Sequence, residues 1–136
     1  MIYPTKTALI LIDDLEPWQK ANVAAFLTGG LMHGFPEMAG ERYRDADDTY
    51  YLPLVREPVF IYGADSQTMR RTYERARSRG IGFTIYTRPL FSTGNDADNR
   101  ASVASTRTAD LDLVGLGLHA ERKIVDKIVN GLKFLT

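Results

Sequence analysis

The chain has 136 residues, of which seventeen are basic and seventeen acidic, and it contains no cysteine. This length fits one domain over residues 1–136, and the balanced charge argues against a generally basic nucleic-acid binder and against an acidic disordered tail. The absence of cysteine excludes disulfides, thiolate nucleophiles and cysteine metal sites. The first apolar run is too short for a signal peptide or a membrane span, so we expect a cytoplasmic protein without membrane contact.

The first predicted strand, residues 8–12, is a continuous apolar run that ends at Asp13 and Asp14. Such a run is typical of a strand buried on both faces, and it brings the two carboxylates to one edge of a sheet. Pro17 suits the first turn of a helix, so we expect a helix to begin there. Because residues 23–32 are apolar almost all round, we expect this helix to be buried on more than one side, for example by a second subunit.

Glycines and prolines interrupt residues 34–51, which predicts a surface excursion with a short strand near its end. The β-branched and aromatic run at 59–62 predicts a second long strand that stops at Gly63. A helix capped by Asp65 or Ser66 follows and ends before Gly80. A third strand is predicted at 83–87.

Residues 95–108 are polar and predict a loop, with one helical turn at 101–105. Residues 111–118 are apolar on both faces and predict a buried fourth strand. A last helix at 119–130 and a terminal strand at 132–135 complete the order. This order predicts an α/β fold in which a single domain holds a mixed sheet of about four to five strands, flanked by helices on both faces.

Ligands of such sheets bind beyond the carboxyl ends of the parallel strands, where Asp13, Asp14, Thr87 and Arg88 are expected. The two aspartates are candidates for a general base or a metal pair, and the alternative is that one of them caps the helix. Lys20, one turn into the first helix, is a candidate for neutralising a phosphate or carboxylate, and the alternative is a plain surface lysine.

Amides and a guanidinium are concentrated at Asn95, Asn99 and Arg100, which favours ligand recognition over chemistry. The alternative is an ordered loop in which the side chains bond the backbone and Arg100 pairs with an acid. A calcium loop is not supported, because the glycine and the distal glutamate of an EF-hand are absent. We therefore predict no metal and no cofactor.

Five arginines make the second helix locally basic, namely Arg70, Arg71, Arg75, Arg77 and Arg79. They form either a stripe that faces the phosphates of an RNA or a solvated surface relieved by Glu74. The two histidines, His33 and His119, are far apart beside glycine-rich or capping sequence, so each is interpreted as a loop or cap histidine.

Three stretches resemble the peptidyl-tRNA hydrolase II family. They are Asp14-Leu15 with residues 20–25, Gly80-Ile81, and residues 114–117 continued by 125–135. A second set of residues, Leu90-Phe91 with 95–101 and 125–127, resembles an uncharacterised bacterial family, domain of unknown function 2000, that shares this fold. The resemblance implies a peptidyl-tRNA hydrolase II-like fold and a homodimer.

The chain departs from the polar residues of those hydrolases, whose first helix carries two lysines, a glutamine and a histidine. The first lysine is kept as Lys20, and the later positions hold Asn22 or Ala21, Phe26 and Gly29. Thr87 keeps a hydroxyl where the hydrolases have an aspartate and a threonine. The resemblance thus implies a scaffold that has lost most of its catalytic residues.

Three functions follow from this combination. The first is binding of a small polar or anionic ligand at the strand-end edge, in a pocket lined by Asp13, Lys20, Asn22, Thr87, Arg88 and residues 95–100. The second is a hydrolase for a nucleotide-linked or acyl ester, with a strand-end aspartate as general base and Lys20 or Arg88 opposite the developing oxyanion. The third is binding of tRNA or another RNA through the arginines of the second helix, without catalysis.

Overall fold

The structure is a computed structural model that describes residues 2–136. Its strands are β1 (Thr5–Ile12), β2 (Tyr43–Arg44), β3 (Tyr50–Tyr51), β4 (Val59–Ala64), β5 (Phe83–Thr87), β6 (Leu113–Glu121) and β7 (Lys133–Phe134). Its α-helices are α1 (Pro17–Gly34), α2 (Ser66–Ser78), α3 (Asp96–Ala104) and α4 (Arg122–Ile128). The fold is a single-domain α/β fold.

The predicted mixed sheet is confirmed, and its five strands stand in the order β5-β6-β1-β4-β7. β1 is parallel to β4, while β6 is antiparallel to both β1 and β5. The strands β1, β4 and β5 therefore run in the same direction, and their carboxyl ends meet at one edge of the sheet. The short strands β2 and β3 pair separately, within the predicted surface excursion.

The sheet is covered on both faces. Val23, Leu27 and Leu31 of α1 are buried at four-residue spacing, which is the stripe that a helix presents to a sheet. Side chains at Gly115 and Gly117 would collide with this stripe, so these two positions of β6 face α1. Their neighbours along the strand point the other way, toward α2 and α4, which both pack against β6.

Within the chain, only one side of the helix α1 is buried. Phe26 is 55% exposed, and Ala25 and Gly29 also face outward. The apolar composition of this helix is therefore not explained by burial within the chain. Gly30, in contrast, packs closely on β5, since a Cβ there would lie 2.8 Å from the Thr84 methyl group.

The predicted loop at 95–108 is wrong, because α3 occupies much of it. The side chain of Asn95 caps this helix by accepting a hydrogen bond from the backbone N–H of Asp98 at 2.8 Å, and Arg100 pairs with Asp96 one turn away. Asparagine and aspartate favour turns and helix caps equally, and no residue of α3 is buried. The sequence therefore carried no apolar periodicity that would distinguish helix from loop.

Two strand ends were also predicted wrongly. β4 continues through Gly63 to Ala64, because its ladder with β1 extends to that residue. β6 continues to Glu121, so His119 is a strand residue and not a helix cap. His119 is only 3% exposed, and it remains in the ladder because its Nδ1 meets the Thr7 hydroxyl at 2.7 Å.

Candidate functional site

The parallel strand ends bring Asp13, Asp14 and Arg88 together around a cavity of about 320 Å³. The Arg88 guanidinium lies 3.9 Å from an Asp14 oxygen, and its Nε donates to Asp112 at 3.2 Å. Asp65 also lines this cavity. The strand-end edge is therefore rich in carboxylates, and its one guanidinium already has acidic neighbours.

Asp13 is held by the first turn after β1. Its backbone N–H donates to the carbonyl of Ala64 at 3.0 Å, and its carboxylate lies directly over Gly63. A side chain at Gly63 would occupy the place of that carboxylate. Gly63 is therefore the position that admits Asp13 to this edge.

A second site, the Tyr86 cleft, lies between α1, β5 and α3. It has a polar lobe of about 280 Å³ and an apolar lobe of about 500 Å³. The polar lobe is lined by Trp18, Asn22, Phe91, Thr93, Gly94 and Asn95, and the apolar lobe by Leu27, Thr84, Ile85, Arg100, Val103 and Ala104. Both lobes share Phe26, Tyr86, Leu90, Asp96 and Asn99.

Four aromatic side chains line the cleft and contact one another in a row. The Tyr86 ring packs edge-on against Phe26, with 5.7 Å between centroids, and lies 5.1 Å from Phe91. Phe91 in turn meets Trp18 at 5.9 Å. Trp18 is 62% exposed and stands at the rim of the cleft. It is the one tryptophan of the chain, so its fluorescence reports on this site.

The Tyr86 hydroxyl is the central polar group of the cleft. Burial raises the pKa of Tyr86, and the hydrogen bond that Asn22 donates to the hydroxyl at 3.5 Å acts in the opposite direction. The net shift is upward, so the hydroxyl stays protonated at neutral pH and can donate to a ligand. On the opposite wall, Asn99 accepts a hydrogen bond from the Thr93 hydroxyl.

The structure divides the single pocket that the sequence predicted. Asn22, Asn95, Asn99 and Arg100 line the Tyr86 cleft, whereas Asp13, Asp14 and Arg88 line the strand-end cavity. Lys20 lines neither cavity, and Thr87 is 3% exposed.

Sequence reasoning missed the aromatic residues of the cleft, Trp18, Phe26, Tyr86 and Phe91. Aromatic residues in strands and helices usually belong to the core, so their type alone is no signal of a site. The signal that could have found two of them is exposure, because Trp18 and Phe26 lie on the outward side of a helix whose buried stripe is readable from its spacing.

Two arginines of α2 hold neighbouring loops. Arg70 donates to the carbonyls of Thr108 and Leu111 at 3.1 and 2.7 Å, and Arg75 donates to that of Asn130 at 3.0 Å. Arg77 pairs with Glu74 on the same helix at 3.5 Å. Several of these guanidinium groups are thus used within the fold.

Two negative findings concern the part of the chain that the structure describes. Within residues 2–136, no three histidine, aspartate or glutamate side chains cluster in a way that could hold a metal ion. None of the helices there has the length and apolar character needed to cross a membrane.

Comparison with known proteins places the chain among proteins of unknown function. A solved structure of a protein of unknown function from Agrobacterium tumefaciens is 39% identical, with a TM-score of 0.95 over 99% of this chain and 100% of that one. No curated protein matches the chain. The model of the family DUF2000, described as a protein of unknown function, matches residues 5–136. The chain therefore belongs to the DUF2000 family.

Proposed function

We propose that this protein binds a ligand with an apolar body and a polar group, and that the binding site is the Tyr86 cleft. The observation that carries this proposal is the meeting of an apolar and a polar lobe at one buried hydroxyl. The apolar lobe alone, at about 500 Å³, has the size of a typical ligand site, roughly 300–1,000 Å³. Apolar walls with a few convergent polar groups are the usual composition of such sites.

The polar groups of the cleft define how a ligand would be oriented. The Tyr86 hydroxyl donates, and the carboxamides of Asn22 and Asn99 offer both donors and acceptors. Arg100 and Asp96 pair with each other beside the apolar lobe, so they contribute no net charge there. These contacts support a neutral polar group on the ligand rather than a strongly anionic one.

The strand-end cavity is the less favoured place for the ligand that the sequence suggested. An anion bound there would face the carboxylates of Asp13, Asp14 and Asp65, which repel it. Arg88, the guanidinium of this cavity, is already close to Asp14 and bonded to Asp112. The electrostatics of this edge thus favour the Tyr86 cleft as the binding site.

The hydrolase and RNA alternatives have less support. Lys20 and Thr87 lie outside the strand-end cavity, so an aspartate acting there as a base has neither of these two predicted partners beside it. An RNA site on α2 would compete with the carbonyls to which Arg70 and Arg75 already donate.

We further propose that the scaffold is that of the peptidyl-tRNA hydrolase II family. The mixed sheet, the helix that follows the first strand and the short last strand support this proposal. If it holds, Phe26 stands where those enzymes have a glutamine, and it forms part of the cleft wall. Superposition on a solved hydrolase tests the proposal, and a different strand order would contradict it.

The proposed assembly is a homodimer in which the outer sides of two α1 helices pack together. A large side chain on that surface is expected to break the dimer. Ala25 and Gly29 are four residues apart and exposed, and a Cβ at Gly29 would meet nothing within 4 Å. Such a flat apolar surface allows two helices to approach closely. We expect Gly29→Arg to convert a dimer to the 15.3 kDa monomer in sedimentation velocity experiments. A monomeric wild-type protein at high concentration would rule the dimer out.

Blocking the apolar lobe is expected to weaken binding at the Tyr86 cleft. The probe is N-phenyl-1-naphthylamine, the uncharged analogue of 8-anilinonaphthalene-1-sulfonate, which has an aromatic body that binds apolar surfaces and becomes fluorescent there. We expect the wild-type protein to bind one probe molecule saturably, with a change in Trp18 emission, and Val103→Phe to weaken this binding at least about tenfold. Val103 lines the apolar lobe, so phenylalanine fills the space that the probe needs.

The matched control is Ala101→Phe, which adds the same ring to the exposed surface of α3 outside the cleft. This variant should bind the probe as the wild-type protein does. Equal binding by Val103→Phe and the wild-type protein, or the absence of saturable binding, contradicts the proposed site.

A further inference from the structure

β5 is an edge strand, and its outer side is unpaired. The sheet order ends at β5, whose ladder is formed with β6. In an antiparallel pair, every second residue points its N–H and C=O groups away from the partner strand. Among residues 2–136, no backbone hydrogen bond of a turn, loop or cap uses a group of residues 83–86 of β5. The outward groups of this strand are therefore free to pair with another main chain.

The apolar lobe of the Tyr86 cleft runs along this free edge. Thr84, Ile85 and Tyr86 are consecutive, and all three line the lobe. Consecutive side chains of a strand point to opposite faces, so three in a row can line one cavity only if the cavity lies beside the strand. The hydroxyl of Thr84 donates to the carbonyl of Leu27 at 3.2 Å, which confirms that Thr84 points to the α1 face.

The far wall of the lobe is α3. Arg100, Val103 and Ala104 face the lobe from this helix, which has no buried residue and packs mainly against the 3₁₀ turn Arg88–Ser92. The helix thus stands away from the sheet. The space between β5 and α3 has an unpaired main chain on one side and apolar side chains on the other, which is the environment of an additional strand.

We propose that the cleft binds an extended peptide segment of a partner protein, which joins the sheet as a strand beside β5. This proposal rests on the proposed function and names the class of its ligand. The main chain of the segment pairs with the outward groups of β5, and every second side chain enters the apolar lobe between Leu27 and Val103. At about 3.3 Å per residue, β5 offers room for roughly five residues of the segment.

A second copy of this chain is a poorer fit to the same edge. Paired strands lie only about 4.8 Å apart, and α3 stands beside β5 in every copy. Pairing of two β5 edges would bring two α3 helices into the same space. A single extended segment has no such obstacle, because it enters the gap that α3 leaves.

The test uses an array of acetylated heptapeptides that alternate valine, isoleucine, leucine or phenylalanine with serine, threonine or lysine. The strongest binder is then measured in solution through Trp18 fluorescence and through amide hydrogen exchange of β5. We expect the saturating peptide to slow exchange of the outward β5 amides at least about tenfold, because these amides become hydrogen-bonded.

The controls are a modified peptide and two variants of the protein. The same peptide with N-methylated backbone amides should not bind. Val103→Phe should weaken binding at least about tenfold, and Ala101→Phe should leave it unchanged.

The outcomes separate this inference from the proposed function. If N-phenyl-1-naphthylamine binds in the cleft but no peptide does, or if bound peptide leaves β5 exchange unchanged, the peptide inference is wrong and the proposed function stands. If neither probe binds, both are wrong. If exchange of the β5 amides slows as the protein concentration rises in the absence of peptide, the occupant is a second copy of the chain and the inference is wrong.

Discussion

Replacing Gly117 with valine is expected to lower the free energy of unfolding by about 3 kcal/mol, at the upper end of what overpacking a core usually costs. A Cβ at this position of β6 would lie 3.1 Å from Leu31 and 3.2 Å from Leu27, and closer still to the hydroxyl oxygen of Thr84. That hydroxyl is bonded to the carbonyl of Leu27, so it cannot move without losing its acceptor. Valine would force α1 away from the sheet.

Urea denaturation measures the change in the free energy of unfolding, and whether this change is negative or positive distinguishes two explanations. Valine is favoured over glycine in strands, so local propensity alone predicts that the variant is more stable. The control is Gly82→Val, since a Cβ at Gly82 would meet nothing within 4 Å. We expect the control to change stability by less than about 1 kcal/mol. Greater stability of the Gly117 variant would show that α1 does not pack as closely as described.

The second large effect is expected from Glu57→Ala, which should cost about 3 kcal/mol. Glu57 is 5% exposed and accepts hydrogen bonds from the hydroxyls of Thr5 and Thr7 at 2.8 and 3.1 Å. Alanine would leave these groups without their acceptor in a buried place. The carboxylate also lies 3.5 Å from Nδ1 of His119, so its removal affects three side chains at once.

The same network assigns the proton of His119. The Thr7 hydroxyl has one proton and gives it to Glu57, so toward His119 it acts as an acceptor and Nδ1 carries the hydrogen. Nε2 is buried and has no partner among the described residues. We therefore expect His119→Phe to cost less than Glu57→Ala, because the ring still packs on Phe35 at a centroid distance of 5.2 Å.

Two measurements check this assignment. Long-range proton–nitrogen NMR should show a hydrogen on Nδ1 of His119, and urea denaturation should rank the two variants as stated. The double variant should cost less than the sum of the singles, because both residues belong to one network. The absence of a hydrogen on Nδ1, or additive costs, would contradict the described hydrogen bonds.

Helices and strands whose ends are marked by capping or turn residues could be predicted from the sequence. Asp65 caps α2 by accepting from the N–H of Thr68, and Gly80 adopts a positive φ of 67° just after that helix. β5 was predicted with its observed bounds, since its aromatic and β-branched residues end at a proline-containing turn. In each case, the deciding interactions lie within a few residues of the boundary.

The candidate site was less predictable, because its residues come from distant parts of the chain. Asn22 lies in the second turn of α1, and each helical residue moves the chain about 1.5 Å further from the strand end. It therefore reaches Tyr86 of β5 and not Asp13 at the end of β1. Asn22 is close to Asp13 along the sequence, so the sequence suggested that both line one pocket. The hydrogen bond that Asn22 makes in the structure is with Tyr86, which lies 64 positions away.

The sparse packing of α3 has a thermodynamic consequence for any ligand of the cleft. A helix without buried residues opens locally at a small free-energy cost, well below that of global unfolding. Because α3 forms one wall, only the fraction of molecules in which it is formed is competent to bind, and the apparent affinity falls by that fraction. A change that stabilises α3 without touching the cleft should then tighten binding. Affinity at this site can thus be tuned during evolution by the helicity of nine residues.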